Sequence, residues 1–200
     1  RLVSGNRSAL PDFRWWRSRT HLLTLSEPAT LRRDSDVAIT DYDPQLATLT
    51  KTPPAGDQWI HEIKLDGYRV GCLISSGRIR LVSRKGLDWT SRFPEIVEPI
   101  AALGIINGLI DGELVVMLPD GRSSFEAMQQ AVAKRSPRKG LVYFAFDLHQ
   151  LEGERIERQP LEQRKARLHQ LIGTSKAGRI RYTDHVEGRG TDVFDRVCKM

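Results

Sequence analysis

The stretch His61-Glu62-Ile63-Lys64-Leu65-Asp66-Gly67-Tyr68-Arg69 sets one lysine between two apolar neighbours, with acids at 62 and 66 and an arginine five residues on. Most lysines are solvated surface charges, and that is the plain reading of any one of them. Apolar flanks on a half-buried strand, with Arg69 close behind, would favour the neutral amine. A neutral lysine amine is a nucleophile for covalent catalysis. Glu62 and Asp66 are placed to orient a substrate hydroxyl or a hydrated metal. Gly67 permits a turn and the close approach of a ligand.

The elements that must position this lysine follow from the alternation of apolar residues. WIHEIKLDGYRVGCLI, from Trp59, predicts two strands joined by a turn at Asp66-Gly67, an antiparallel hairpin. RIRLVS predicts a strand over 78–83, and SRFPEIVEPIAAL, from 91, has helical spacing. IINGLIDGELVVML predicts a buried strand closed by the turn Pro119-Asp120-Gly121. Asp111-Gly112-Glu113 alone reads as a turn, although the apolar run after it places its acids near a strand start within a sheet. Ser123 to Glu126 fits a capping box opening a helix with Phe125, Met128 and Val132 inward. LVYFAFDLHQL predicts a strand over 141–151. Pro160 opens a helix whose inner face holds Leu161, Leu168 and Ile172. RIRYTDHV predicts one last strand over 179–186, and TDVFDRVCKM starts a helix. Glu187-Gly188-Arg189-Gly190 reads as a turn. The fold class is α+β, with mixed, largely antiparallel sheets and flanking helices.

Composition limits what such a fold does. The chain has 200 residues, 40% hydrophobic and 28% charged, the balance of a soluble globular protein. Its formal charge of +6 and sequence pI near 9.6 suit a polyanionic partner, nucleic acid being the commonest, and suit an unspecialised basic surface about equally; charge alone does not decide between them. Cys72 and Cys198 have no metal spacing and suit a reducing cytoplasm. The apolar run Leu114 to Leu118 is too short to span a membrane, and the basic start is not followed by a signal-type apolar segment. Residues 1–43 are arginine-rich without periodicity and read as a poorly ordered basic segment or linker. Trp15 and Trp16 within it could stack on bases. Pro53-Pro54-Ala55-Gly56 marks a domain threshold. The first residue is Arg1 rather than Met, which suggests a fragment or a misread frame.

KLDGYR resembles the nucleotide-attachment motif Lys-x-Asp-Gly-x-Arg of the covalent nucleotidyltransferases: ATP-dependent DNA ligases, RNA ligases and mRNA capping enzymes. Four further stretches in the same order are similar to DNA ligases: SRKGLDWTSRFPEI (83–96), LIDGELVV (109–116), YFAFDLHQLEGE (143–154) and PLEQRKARLHQLI (160–172). The wording is most similar to the ligase module of bacterial non-homologous end-joining ligases, over residues 44–200. The resemblance implies the ATP-grasp-like nucleotidyltransferase domain of DNA ligases. It implies that Lys64 attacks the α-phosphate of ATP and carries AMP to a DNA 5′-phosphate, so that a nick or break is sealed in repair and recombination. Arg69 and Arg84 would hold ribose or phosphate oxygens, and Glu113 the ribose or a metal. Asp66 would support the site, Glu62 would lie near the adenine edge, and Phe146 (or Phe144 on the same strand) would stack on the base. ATP and Mg2+ are the implied cofactors. Double-stranded DNA with a nick or end is the implied partner, with end-joining proteins beside it.

The family's next motifs, Glu-Gly-x-Val or Ile and Lys-x-Lys, and its OB-fold domain are not found before Met200. This predicts an incomplete domain, no strand sealing by these 200 residues alone with at most a weak first step, and a marginally stable or aggregation-prone chain with an open apolar edge. Two other readings stay open: a catalytically inactive nucleotide- or DNA-binding remnant, and an RNA ligase or capping-type enzyme.

Overall fold

A computed structural model describes residues 2–6, 42–46, 52–54, 56–133, 138–174 and 178–198. Nine strands and four α-helices lie among them: β1 (Leu2–Asn6), β2 (Trp59–Ile63), β3 (Tyr68–Ser75), β4 (Arg78–Ser83), α1 (Pro94–Ala101), β5 (Gly108–Val116), α2 (Phe125–Ala133), β6 (Leu141–Leu151), β7 (Glu154–Arg155), α3 (Leu161–Ile172), β8 (Ile180–Tyr182), β9 (His185–Glu187) and α4 (Gly190–Cys198). The expected α+β class is observed.

The strands form two sheets. The larger has the order β4-β3-β5-β6-β7, with β8 parallel to β6 and every other pairing antiparallel. The smaller has the order β1-β2-β9, all antiparallel. The alternating residues Val70, Cys72 and Ile74 of β3, Ile110 and Leu114 of β5, and Tyr143 and Ala145 of β6 bury one face of the large sheet. They pack with Phe93, Ile96 and Ile100 around α1, Met128 of α2 and Leu168 of α3. Burial pushes the free Cys72 thiol up to about 12, so it is packing and not chemistry.

Five expectations change. The hairpin over 59–74 is not formed: β2 and β3 belong to different sheets, and residues 64–67 cross between them. Alternation reports which residues share a face, not which sheet a strand joins. Gly67 serves a close approach rather than a hairpin turn, since a Cβ there would sit 2.2 Å from the Leu114 carbonyl oxygen. The strand expected over 179–186 is likewise two strands, β8 in the large sheet and β9 in the small one, with Thr183-Asp184 crossing. Asp111-Gly112-Glu113 is the middle of β5 and not a turn. The cap of α2 is Ser124, whose Oγ accepts the Ala127 N–H at 3.2 Å; Ser123 instead accepts the Asp66 N–H at 3.0 Å. Leu2–Asn6, in a segment read as lacking strand periodicity, pairs with β2. Trp15 and Trp16 lie outside the described residues.

Gly112 has a packing reason of its own. A Cβ there would meet the Tyr143 ring at 2.5 Å and the Phe144 carbonyl oxygen at 2.6 Å. The Tyr143 hydroxyl donates to the Val70 and Ile110 carbonyls at 2.9 and 3.2 Å, so the ring cannot swing aside without leaving polar groups unpaired. Gly112→Ala is expected to destabilise the chain by about 3 kcal/mol. Urea melts of the two proteins check this, and an unchanged midpoint would contradict the packing described.

Candidate active site

The two crossings, 64–67 and 183–184, lie at the seam between the sheets. Lys64 stands just past the end of β2. It is exposed, and its Nζ donates to the Leu65 carbonyl at 3.3 Å. The desolvation expected from its apolar flanks is therefore not observed, because leaving β2 carries the side chain out of both sheets. Lys64, Leu65, Asp66 and Ser123 line a cleft of about 270 Å³. Asp66 is exposed at its mouth, fixed through its backbone N–H to Ser123.

Arg69, Glu113 and Phe144 are register partners across β3, β5 and β6. Arg69 is clamped: its Nε and a terminal nitrogen donate to the two oxygens of Asp111 at 3.1 and 2.6 Å, and another nitrogen donates to the Gln45 carbonyl. Tyr42 donates its hydroxyl to the same carboxylate at 2.6 Å, and its ring lies where a Cβ on Gly71 would be. Burial and the Asp111 charge push the Tyr42 phenol far up, so it remains a donor. The guanidinium of Arg69 also sits 5.1 Å from the centre of the Phe146 ring.

Glu113 is the perturbed acid of this cluster. Burial raises its carboxyl to about 7; the charges of Lys64 and Arg69 and a hydrogen bond from the Gly67 N–H pull the other way without cancelling it. Near neutrality it can thus either donate or accept. Arg84 is exposed, and its backbone N–H bonds the Arg69 carbonyl at 3.2 Å, which sets it beside the clamped arginine. Phe146 has no Cα partner on β5, because a β-bulge falls at this point of β6. Bulges re-aim side chains at such places.

Glu62 points toward α3, where the buried Lys165 Nζ donates to its carboxylate. Lys165 also donates to the Phe146 and Thr183 carbonyls at 3.2 and 3.3 Å. Deeper in the sheet, Asp147 receives Nε and a terminal nitrogen of Arg164 at 2.8 and 2.9 Å, with His149 3.4 Å away. Burial works against the charged carboxylate here, but the His149 and Arg164 hydrogen bonds outweigh it and hold Asp147 well below the usual range.

Residues 44–200 match the family model for the ATP dependent DNA ligase domain. The chain belongs to that family. It is 38% identical over 157 residues to a multifunctional non-homologous end joining protein LigD of Pseudomonas aeruginosa, covering 78% of this chain and 18% of that one. It is 32% identical to an SPbeta prophage-derived DNA ligase-like protein LigB of Bacillus subtilis, covering 64% of this chain and 46% of the relative. Among solved structures it is similar to the ligase domain of M. tuberculosis LigD, with a TM-score of 0.57 and 29% identity over 69% of this chain and 43% of that one. A mycobacterial DNA ligase D complexed with ATP and MES gives a TM-score of 0.56 and 27% identity over 70% of this chain and 44% of that one. The chain spans less than half the length of each of these relatives.

Within the ligase domain, the side chains of Arg69 and Glu113 and the mouth at Lys64 come together. Glu62 is drawn to Lys165, and Arg84 stays on the outside. Sequence reasoning did not single out Tyr42, Asp111 as the Arg69 clamp, Asp147 with Arg164, or Lys165. A signal for Lys165 was present: it falls at i+4 from Leu161 and three residues before Leu168, on the inner face of α3. No helix among the described residues is long and apolar enough to cross a membrane.

Proposed function

We propose that this chain supplies the adenylation chemistry of an ATP-dependent DNA ligase, with Lys64 as the nucleophile. The observation that carries the reading is the position of Lys64: an exposed amine at the lip of a cleft, at the seam where Arg69 and Glu113 are held, within a chain that matches the ligase family. The Lys64 amine gives its proton to solvent and its lone pair forms the bond to the α-phosphorus of ATP. The bond to the bridging oxygen breaks, and pyrophosphate leaves. Arg69, fixed by Asp111 and Tyr42, loses little freedom on meeting a phosphate or ribose oxygen. Glu113 accepts a ribose hydroxyl once ionised. The Phe146 ring carries the adenine, favoured over Phe144 because it already lies against Arg69. The AMP then passes to a DNA 5′-phosphate, and the neighbouring 3′-hydroxyl displaces it. The exposed Arg78, Arg84 and Lys85 offer charge to the phosphate backbone.

Glu113 has the donor chemistry of a Mg2+ ligand. The described residues nevertheless contain no group of three carboxylate, histidine or cysteine side chains that could hold a metal. They do not form a metal site by themselves.

Pyrophosphate exchange tests the reading. With ATP and labelled pyrophosphate, the chain is expected to return label to ATP, and Lys64→Ala is expected to lose the exchange completely. Equal exchange by both proteins would remove Lys64 from the chemistry.

A further inference from the structure

The Lys64 amine bonds the carbonyl of its own neighbour, Leu65, at 3.3 Å. That contact travels with the chain, so the aim of the amine depends on the backbone of residues 64–67. These residues belong to neither sheet, and strand ladders do not hold them. Two consecutive N–H groups of the crossing are held by side chains instead. The Gly67 N–H bonds the Glu113 carboxylate of β5, and the Asp66 N–H donates to Ser123 Oγ at 3.0 Å. Glu113 belongs to the site already described. Ser123 has no part in the steps above.

Ser123 is itself a fixed post. It lies where the chain turns back after β5, in a β-bridge with Met117. The turn between them is closed by the Leu118 N–H on the Arg122 carbonyl at 2.8 Å and the Gly121 N–H on the Leu118 carbonyl at 2.9 Å. Asp120 accepts the Arg122 N–H at 3.0 Å and the Arg122 Nε at 2.9 Å. On the other side, Ser124 donates its N–H to the Val116 carbonyl at 3.0 Å and caps α2. A short serine side chain on such a support loses little freedom in accepting a hydrogen bond. Ser123 also lines the same cleft as Lys64. We propose that Ser123 is a positioning residue for the adenylation step: through the Asp66 N–H it pins the crossing, and so keeps the Lys64 amine directed into the cleft where the α-phosphorus of ATP is attacked. This inference rests on the reading of Lys64 as the nucleophile. Ser123 touches no reacting atom. Releasing Asp66 lets the lysine wander, and a reacting group misplaced by about 1 Å can lose about a hundredfold in rate.

The test measures two quantities on the full chain: calorimetric binding of ATP, and the rate of covalent labelling from ATP carrying a labelled α-phosphate. Ser123→Ala is expected to bind ATP as the wild type does and to label about tenfold or more slowly. Ser123→Thr keeps the hydroxyl and is expected to restore the wild-type rate. Ser123→Cys keeps the size of the side chain but offers only a weak acceptor, and is expected to be as slow as the alanine variant. It decides the matter if the alanine variant does not fold. Ser124→Ala is the control, since it loosens the start of α2 without touching the crossing, and it is expected to label at the wild-type rate. Equal slowing by Ser123→Ala and Ser124→Ala would make Ser123 merely structural and overturn the proposal. Labelling by Ser123→Ala and Ser123→Cys at the wild-type rate overturns the role of Ser123 and leaves Lys64 as the nucleophile. No label from the wild type overturns the Lys64 reading and this inference with it.

Discussion

Asp147→Ala is expected to cost about 3–5 kcal/mol of folding stability, because it leaves the buried Arg164 without its counter-ion. Arg164 is only 5% exposed, and its other contacts, the Glu157 and Gln159 carbonyls, carry no formal charge. Arg164 joins α3 to β6 through this pair, so the loss spreads to the helix that carries Lys165. The same carboxylate gives a pH signature. Its folded pKa is depressed, so its contribution is fully present above the ordinary carboxylate value of 3.8 and is lost as pH falls through the folded value. Urea melts at neutral pH and in acid check both statements. A variant within about 1 kcal/mol of wild type at neutral pH would show that the pair is incidental.

The second large effect belongs to Glu113 and has the opposite sign. Its folded carboxyl titrates near 7 against an ordinary 4.5, so the folded chain holds a proton that the unfolded chain has released. Stability is expected to fall as pH rises from 4.5 through 7, by on the order of 3 kcal/mol in full. Glu113→Gln removes this slope and is expected to be the more stable protein at pH 8. It should also be the weaker enzyme, since an amide is a poorer acceptor than a carboxylate for a ribose hydroxyl. Melts of both proteins between pH 5 and 8 measure the slope; parallel curves would mean that Glu113 is not the raised acid.

The site was legible where its residues sit close in sequence. Lys64, Asp66 and Arg69 lie within six residues, and the alternation in LIDGELVV puts Asp111 and Glu113 on one face of β5. The strand over 141–151 and the helix after Pro160 follow from period alone. What could not be read is the long-range pairing. Nothing in HEIKLDGYR says that its strands part into two sheets, because alternation is the same in a hairpin and at a crossing. Tyr42 meets Asp111 across 69 residues, and Lys165 meets Glu62 across 103. Such contacts carry no local signal, and a buried lysine on an inner helical face looks like an error in the pattern until its acceptors are seen. The exposure of Lys64 has the same origin. Its apolar flanks would bury it on a continuing strand, but the chain leaves the strand at that residue.

Incubation with ATP labelled at the α-phosphate, followed by denaturing electrophoresis and peptide mapping, tests the assignment of Lys64 most directly. An acid-labile label that stays with the denatured chain, maps to the peptide carrying Lys64 and vanishes in Lys64→Ala is the predicted result. A label that survives in Lys64→Ala, or no covalent label from a folded chain that binds ATP, would contradict it.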